Sequence, residues 1–160
     1  MSQRFRTLVL AFLAVSILPM PSFADHWTSV ASAGAIDVPS NAFVSNVAVS
    51  PAAVPSGQIN VLTVRYNITN TSEFPPWATL EIGYIDSGGG SNSISATIYR
   101  VSPGGSPRTA LCTVTSADFG SLSTCSFPGG IDFSQFLYYV EATLTRVGAT
   151  QLSLRTLRVY

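Results

Sequence analysis

Few side chains in this sequence are of types that catalyse reactions, and their spacing matches no familiar catalytic set. The chain contains a single histidine, His26, so a serine nucleophile would depend on that residue as its base. His26 lies among small polar residues, which we interpret as an arm without the rigid geometry that such a dyad needs. Glu81 and Glu141 are each expected on the outward face of a strand, where a solvated carboxylate is common. We therefore expect a non-enzymatic protein, and two carboxylates meeting in a cleft remain the enzymatic alternative.

Outward aromatic side chains indicate a binding surface. By strand alternation, Trp77, Tyr99 and Tyr139 point away from the side chains assigned to the core. Sugar-binding β-sandwiches use such rings as stacking platforms, so these three are the candidate ligand-binding residues and a glycan is the candidate ligand. The alternative is that aromatic pairs across strands only stabilise the sheet, by about 0.2–1 kcal/mol each.

The first 24 residues have the organisation of a secretory signal peptide. Arg4 and Arg6 precede an apolar run over residues 8–18, and prolines and small residues follow. This run is about half of the roughly 20 residues that cross a bilayer, so a membrane anchor is the less favoured alternative. Cleavage after Ala24 would export residues 25–160, without a transmembrane segment, to the periplasm or the cell exterior.

The composition of residues 25–160 excludes several classes of partner. Six arginines and eight acids give a net charge of −2, and the chain has no lysine. Nucleic-acid binding draws on several cationic contacts to phosphates, so we expect no nucleic-acid partner. Docking on an anionic membrane is disfavoured for the same reason. The length suits one domain with one core.

The two cysteines, Cys112 and Cys125, predict a disulfide, because they are even in number and lie in a chain expected to be exported. Closing so short a loop contributes about 3 kcal/mol in the chain-entropy model. Two reduced, buried thiols are the alternative. Two cysteines and one distant histidine cannot complete a zinc site, so we expect no metal and no cofactor.

Alternating apolar and polar residues predict a chain made of strands. The pattern is strongest over residues 133–147, where one face carries Phe136, Tyr138, Val140, Ala142 and Leu144. Further strands are predicted over residues 42–50, 59–69, 77–86, 94–101, 110–114 and 151–160, with Gly- and Pro-rich turns between them. About seven or eight short strands indicate an all-β, antiparallel β-sandwich over residues 41–160. Residues 25–40 lack a sustained period and are predicted to form an extended or mobile amino-terminal arm.

The run Phe136-x-Tyr138-x-Val140-x-Ala142 lies late in the chain, one predicted hairpin before its end. It resembles the penultimate strand of immunoglobulin-like and fibronectin type III domains, over about a dozen residues. The resemblance implies an immunoglobulin-like sandwich. The family's disulfide between the second and penultimate strands is absent here, so the resemblance does not establish the exact strand topology.

A longer likeness covers most of residues 25–160. The order of Val64-Arg-Tyr-Asn-Ile68, Leu80-Glu-Ile82 and Ala96-Thr-Ile-Tyr99, with Cys125 and the closing segment 133–146, is similar to a group of small secreted bacterial proteins. This resemblance implies a secreted β-sandwich and brings no activity with it.

The sequence is consistent with two functions of different kinds. The favoured one is an exported, non-enzymatic module that binds a ligand, with a glycan as the candidate, through its surface. The alternative is self-association as the subunit of a surface polymer, in which the arm of one copy enters the sheet of the next. A faint resemblance to the end of fimbrial subunits rests on Gly148, Leu152, Leu154 and Tyr160. Two observations depart from that pattern: the cysteines lie late, and the alternation slips at Leu157 and Val159.

Overall fold

The computed structural model describes residues 26–69, 76–88 and 91–160, so the predicted signal peptide over residues 1–24 lies outside the described residues. Regular structure in the described ranges consists of short 3₁₀ turns at Ala31–Ala33 and Pro39–Asn41 and of β-strands. No helix there is long and apolar enough to span a membrane. The strands are β1 (Trp27–Val30), β2 (Ala35–Ile36), β3 (Ala42–Val44), β4 (Val49–Pro51), β5 (Ile59–Ile68), β6 (Thr79–Asp86), β7 (Ser93–Val101), β8 (Arg108–Thr115), β9 (Leu122–Ser126), β10 (Leu137–Val147) and β11 (Leu152–Val159).

The strands form two packed antiparallel sheets, which confirms the predicted all-β sandwich. A six-stranded sheet has the order β3-β4-β11-β6-β9, with β1 also paired to β11. A five-stranded sheet has the order β2-β5-β10-β7-β8. The described strands outnumber the prediction because residues 42–50 form most of a hairpin, β3–β4, and because β1, β2 and β9 are too short to show a period.

Strand β10 is the centre of the five-stranded sheet, as its regular alternation predicts. It pairs with β5 along one side and with β7 along the other. Tyr138, Val140, Ala142 and Leu144 are buried between the sheets, and the residues between them face outward. The outer face of this sheet is therefore available for polar and aromatic side chains.

The last two strands do not form the predicted hairpin. In immunoglobulin domains the final two strands are neighbours in one sheet. Here β10 lies in the five-stranded sheet and β11 in the six-stranded sheet, so the chain crosses between sheets at Gly148. Gly148 has φ +65°, a conformation that favours glycine and that the period of the strands does not reveal.

The amino-terminal segment is extended, as predicted, but it is paired with the sheets, so the prediction of a mobile arm outside the domain is wrong. β1 pairs with β11, with Trp27 opposite Val159, and β2 pairs with β5. Ala31, between these two strands, is buried in the core. Residues 27–36 thus contact both sheets and belong to the domain.

A β-bulge explains the slip in alternation near the end of the chain. The register of β11 against β6 shifts between Leu154 and Thr156, which leaves Arg155 as an extra residue. After the bulge, the positions of β11 that point into the core are shifted by one residue, so Leu157 and Val159 are fully buried. The bulge also places Arg155 on the surface, beside the β3–β4 hairpin.

The predicted disulfide between Cys112 and Cys125 is confirmed, with 6.1 Å between the two Cα atoms. Cys112 lies on β8, the edge of the five-stranded sheet, and Cys125 on β9, the edge of the six-stranded sheet. Residues 122–126, which show no clear period, form β9 because they pair with β6. The disulfide therefore joins the two sheets along one side of the sandwich.

Candidate binding site on the five-stranded sheet

An aromatic pair stands on the outer face of the five-stranded sheet. The register of β7 and β10 places Tyr99 directly opposite Tyr139. Their ring centroids are 5.1 Å apart with an angle of 20° between the planes, a stacked arrangement. Both side chains face away from the core, as the alternation predicts.

Arg108 of β8 lies against this pair. Its guanidinium carbon is 4.8 Å from the centre of the Tyr99 ring, and its Nη1 donates a hydrogen bond to the Tyr139 hydroxyl at 3.1 Å. That hydrogen bond raises the pKa of Arg108 above its ordinary value. Tyr99 is thus stacked on Tyr139 and also contacted by Arg108, which is bonded to the Tyr139 hydroxyl as well.

A row of charged side chains continues the surface toward β5. Arg65 donates from Nε to Glu141 Oε2 at 2.7 Å and from Nη1 to Asp37 Oδ1 at 2.7 Å. The hydrogen bond with Glu141 raises the pKa of Arg65. Glu141 was expected to be a solvated carboxylate. Its side chain is instead only 17% exposed, since Arg65 and, at 3.9 Å, Arg108 lie beside it.

The second face of the Tyr139 ring lies on the side of β5, where Asn67 is the residue directly opposite. In the described ranges, no other ring and no guanidinium covers that face. The exposed Asn67 also borders a cavity of about 270 Å³, whose lining comprises Asn67, Ile68, Thr69, Leu137 and Tyr138. Asn67 therefore lies both opposite Tyr139 and at the border of the cavity.

Trp77 does not take part in this site, and its predicted outward orientation is wrong. It follows Pro76 and precedes β6, which begins at Thr79, so strand alternation does not apply to it. Its side chain is 1% exposed and packs edge-to-face on Phe133, with 6.2 Å between ring centroids. Trp77 is a core residue at one end of the sandwich.

The chemistry that this surface offers is recognition of a polar ligand: guanidinium donors, a carboxylate and amide acceptor, and one ring face. Over the residues described, no cluster of three or more His, Cys, Asp or Glu could hold a metal ion, and His26 is exposed ahead of β1. Asn67, Arg65 and Arg108 belong to this surface but carry no local sequence signal that marks them as site residues. The spacing Arg65-x-Asn67 opposite Tyr139-x-Glu141 would have indicated the first two, had the pairing of β5 with β10 been known.

A functional assignment for this chain rests on the geometry described above, because comparison with known proteins found no match. No protein-family model, no curated protein and no solved structure matches the chain.

Proposed function

We propose that this protein is an exported, non-enzymatic module that binds a carbohydrate on the outer face of its five-stranded sheet. The observation that carries the proposal is the Tyr139 ring, which is stacked on Tyr99 on one side and lies opposite Asn67, a residue at the border of a cavity of about 270 Å³. A ring held by a stacked partner and a hydrogen bond to its hydroxyl is fixed in orientation before a ligand arrives.

The chemistry of this surface fits a sugar. The C–H face of a pyranose is apolar and packs on an aromatic ring, while its hydroxyl groups need donors and acceptors around the rim. The Asn67 amide supplies both, and the Arg65–Glu141 pair supplies further donors and an acceptor. Few side-chain rotamers have to be fixed on binding, because Arg65, Arg108 and Glu141 already contact one another.

Export is part of the proposal. A disulfide persists in oxidising compartments and is rare in the cytosol. The signal-peptide pattern of residues 1–24 supports the same compartment, the periplasm or the exterior.

The polymer alternative gains no support from the strand pairing. Assembly by strand addition needs an unfilled edge in the receiving sheet. The segment proposed as the donor, residues 25–40, supplies β1, and β1 together with β4 already occupies the edge of β11 opposite β6. The arm of a second copy would have to displace β1 before it could bind there.

The test is binding of a panel of soluble polysaccharides by affinity gel electrophoresis, with wild type compared with Tyr139→Ala and Asn67→Ala. We expect at least one polysaccharide to retard the wild type, and each variant to bind it about tenfold more weakly, because a stacking or hydrogen-bonding contact is lost. The matched control is Tyr160→Ala. Tyr160 is also an exposed tyrosine beside an arginine and a glutamate, Arg158 and Glu81, but it lies by the other sheet.

Equal retardation of wild type and Tyr139→Ala would place any glycan binding elsewhere and refute this site. Retardation lost equally in Tyr160→Ala and Tyr139→Ala would point to a general effect of the substitutions. Absence of binding to every glycan of a broad array would contradict carbohydrate as the ligand class.

A further inference from the structure

A second cavity, remote from the Tyr139 surface, opens between the β3–β4 hairpin and the start of β11. β4 and β11 share a single register pair, Val49–Leu154, and an opening lies beside it. The opening forms a cavity of about 290 Å³. Its lining includes Phe43, Ser50, Arg146, Gln151, Ser153 and Arg155.

The two arginines reach this cavity from different elements. Arg155 is the extra residue of the β11 bulge and is exposed at the rim. Arg146 comes from the end of β10, where its guanidinium donates from Nη1 to the Pro51 carbonyl at 2.9 Å and from Nη2 to the Ala149 carbonyl at 3.1 Å. These bonds to neutral carbonyls hold the Arg146 cation in place without cancelling its charge.

Neither arginine is neutralised by a carboxylate. The ion pairs of the described ranges use Arg65, Arg108 and Arg158, and none involves Arg146 or Arg155. Within those ranges the Nε of Arg146 is also the one buried side-chain polar atom without a hydrogen-bond partner. A buried donor left unpaired costs free energy, so the guanidinium of Arg146 keeps unused donor capacity next to the cavity. No Asp or Glu of the described part of the chain lines the cavity, so the two arginines favour an anion there.

The rim adds an apolar surface and small polar groups. Phe43 on the edge strand β3 is 66% exposed, and an aromatic ring exposed to this degree beside a cavity presents contact area to a ligand. Ser50 and Ser153 add hydroxyl groups that donate to an oxyanion.

We propose that this cavity binds a small organic carboxylate whose apolar part packs on Phe43 and whose oxygens accept from Arg155 and Arg146. A planar guanidinium matches a carboxylate through two parallel hydrogen bonds. The volume of about 290 Å³ is at the lower end of ligand sites, which fits a small molecule rather than a polymer. The inference does not depend on the proposed carbohydrate site, because the residues of the two sites are different.

The experiment is a titration of the ¹⁵N-labelled protein followed by ¹H–¹⁵N correlation spectra. Benzoate tests the full proposal, benzamide keeps the ring but removes the charge, and inorganic sulfate keeps an anion but removes the apolar group. We expect benzoate to shift the amide signals of Phe43, Ser50 and Ser153, and benzamide and sulfate to bind about tenfold more weakly or not at all.

Two variants, each with a control, locate the binding. Arg155→Gln should weaken benzoate about tenfold, whereas Arg158→Gln, on the same strand but outside the cavity, should leave it unchanged. Phe43→Ala should weaken benzoate while Phe119→Ala, another highly exposed phenylalanine, should not. Arg155 and Phe43 are exposed, so these variants are expected to fold. Equal binding of sulfate and benzoate, unchanged affinity in Arg155→Gln, or shifts confined to other residues would each overturn the proposal.

Discussion

The hydroxyl of Tyr66 donates a hydrogen bond to the carbonyl oxygen of Ala31 at 2.8 Å, and both residues are buried. This bond ties the later part of β5 to the segment between β1 and β2. Burial raises the pKa of the Tyr66 phenol above its ordinary value. The neutral form of this tyrosine is therefore part of the folded state, which gives the stability a specific dependence on pH.

Tyr66→Phe should lower the free energy of unfolding at pH 7 by about 1 kcal/mol, the contribution of one buried hydrogen bond. Above about pH 10 the unfolded chain loses the Tyr66 proton while the folded chain retains it. The free energy of unfolding of the wild type should then fall by about 1.4 kcal/mol per pH unit relative to that of Tyr66→Phe. The stability advantage of the wild type should therefore shrink as the pH rises, and the variant should become the more stable protein. Urea unfolding of both proteins between pH 7 and pH 11 measures this. A difference independent of pH would show that the phenol is not shielded in the folded state.

Gly34→Ala should destabilise the domain by about 1–3 kcal/mol, the usual cost of overpacking. A Cβ at position 34 would overlap the side chains of Val64 and Tyr66, which lie on the core face of β5. Gly104→Ala is the matched control, because nothing lies within 4 Å of its Cβ position and its φ is not in the left-handed range. Chemical unfolding of both variants makes the comparison. Equal stabilities would mean that residues 27–36 do not pack on β5 in solution.

The double variant Cys112→Ala/Cys125→Ala should lose about 3 kcal/mol of unfolding free energy, because the unfolded chain is no longer cross-linked. Guanidinium unfolding provides the value. The wild type measured in reducing buffer is the control and should show a similar loss. Unfolding free energies that are the same with and without the disulfide would contradict its role in holding β8 to β9.

Asn92→Ala should cost about 1–3 kcal/mol, since a buried amide that makes several hydrogen bonds is removed. Asn92 donates from Nδ2 to Thr150 Oγ1 at 2.8 Å and accepts at Oδ1 from the Val147 amide at 2.9 Å. Asn46→Ala is the control: its side chain is exposed, and its carbonyl, which accepts from Ser32, is retained. A thermal unfolding scan of the two variants distinguishes them, and similar melting temperatures would refute the role of Asn92.

The strands that could be predicted from the sequence are those in which apolar and polar residues alternate regularly along the strand itself. β10 alternates over its whole length, so its core face and its central position were both foreseeable. Leu157 and Val159 appeared irregular because a bulge adds one residue at Arg155, and a bulge is defined by the partner strand rather than by the period. The burial of Trp77 was missed for a related reason, because the alternation was extended two residues before β6 begins.

The candidate site was foreseeable in its aromatic part only. Tyr99 and Tyr139 face outward by alternation, but their contacts also include Arg108, which reaches them from a third strand. β1 and β2 are too short to carry a pattern, and they exist because β11 and β5 offer edges to them. The placement of β1, β2 and Arg108 is therefore determined by contacts between strands that are distant in sequence, which a local pattern does not show.

The pairing of Trp27 with Val159 joins the first described strand to the last one and spans nearly the whole chain. Closing so long a loop carries a large entropic cost, and contacts of high sequence separation slow folding. Chains are synthesised from the amino terminus, so β1 emerges first and has to wait, unpaired, until β11 has followed. Completion of the sandwich therefore requires synthesis through β11, and a product truncated before β11 would leave β1 without its partner.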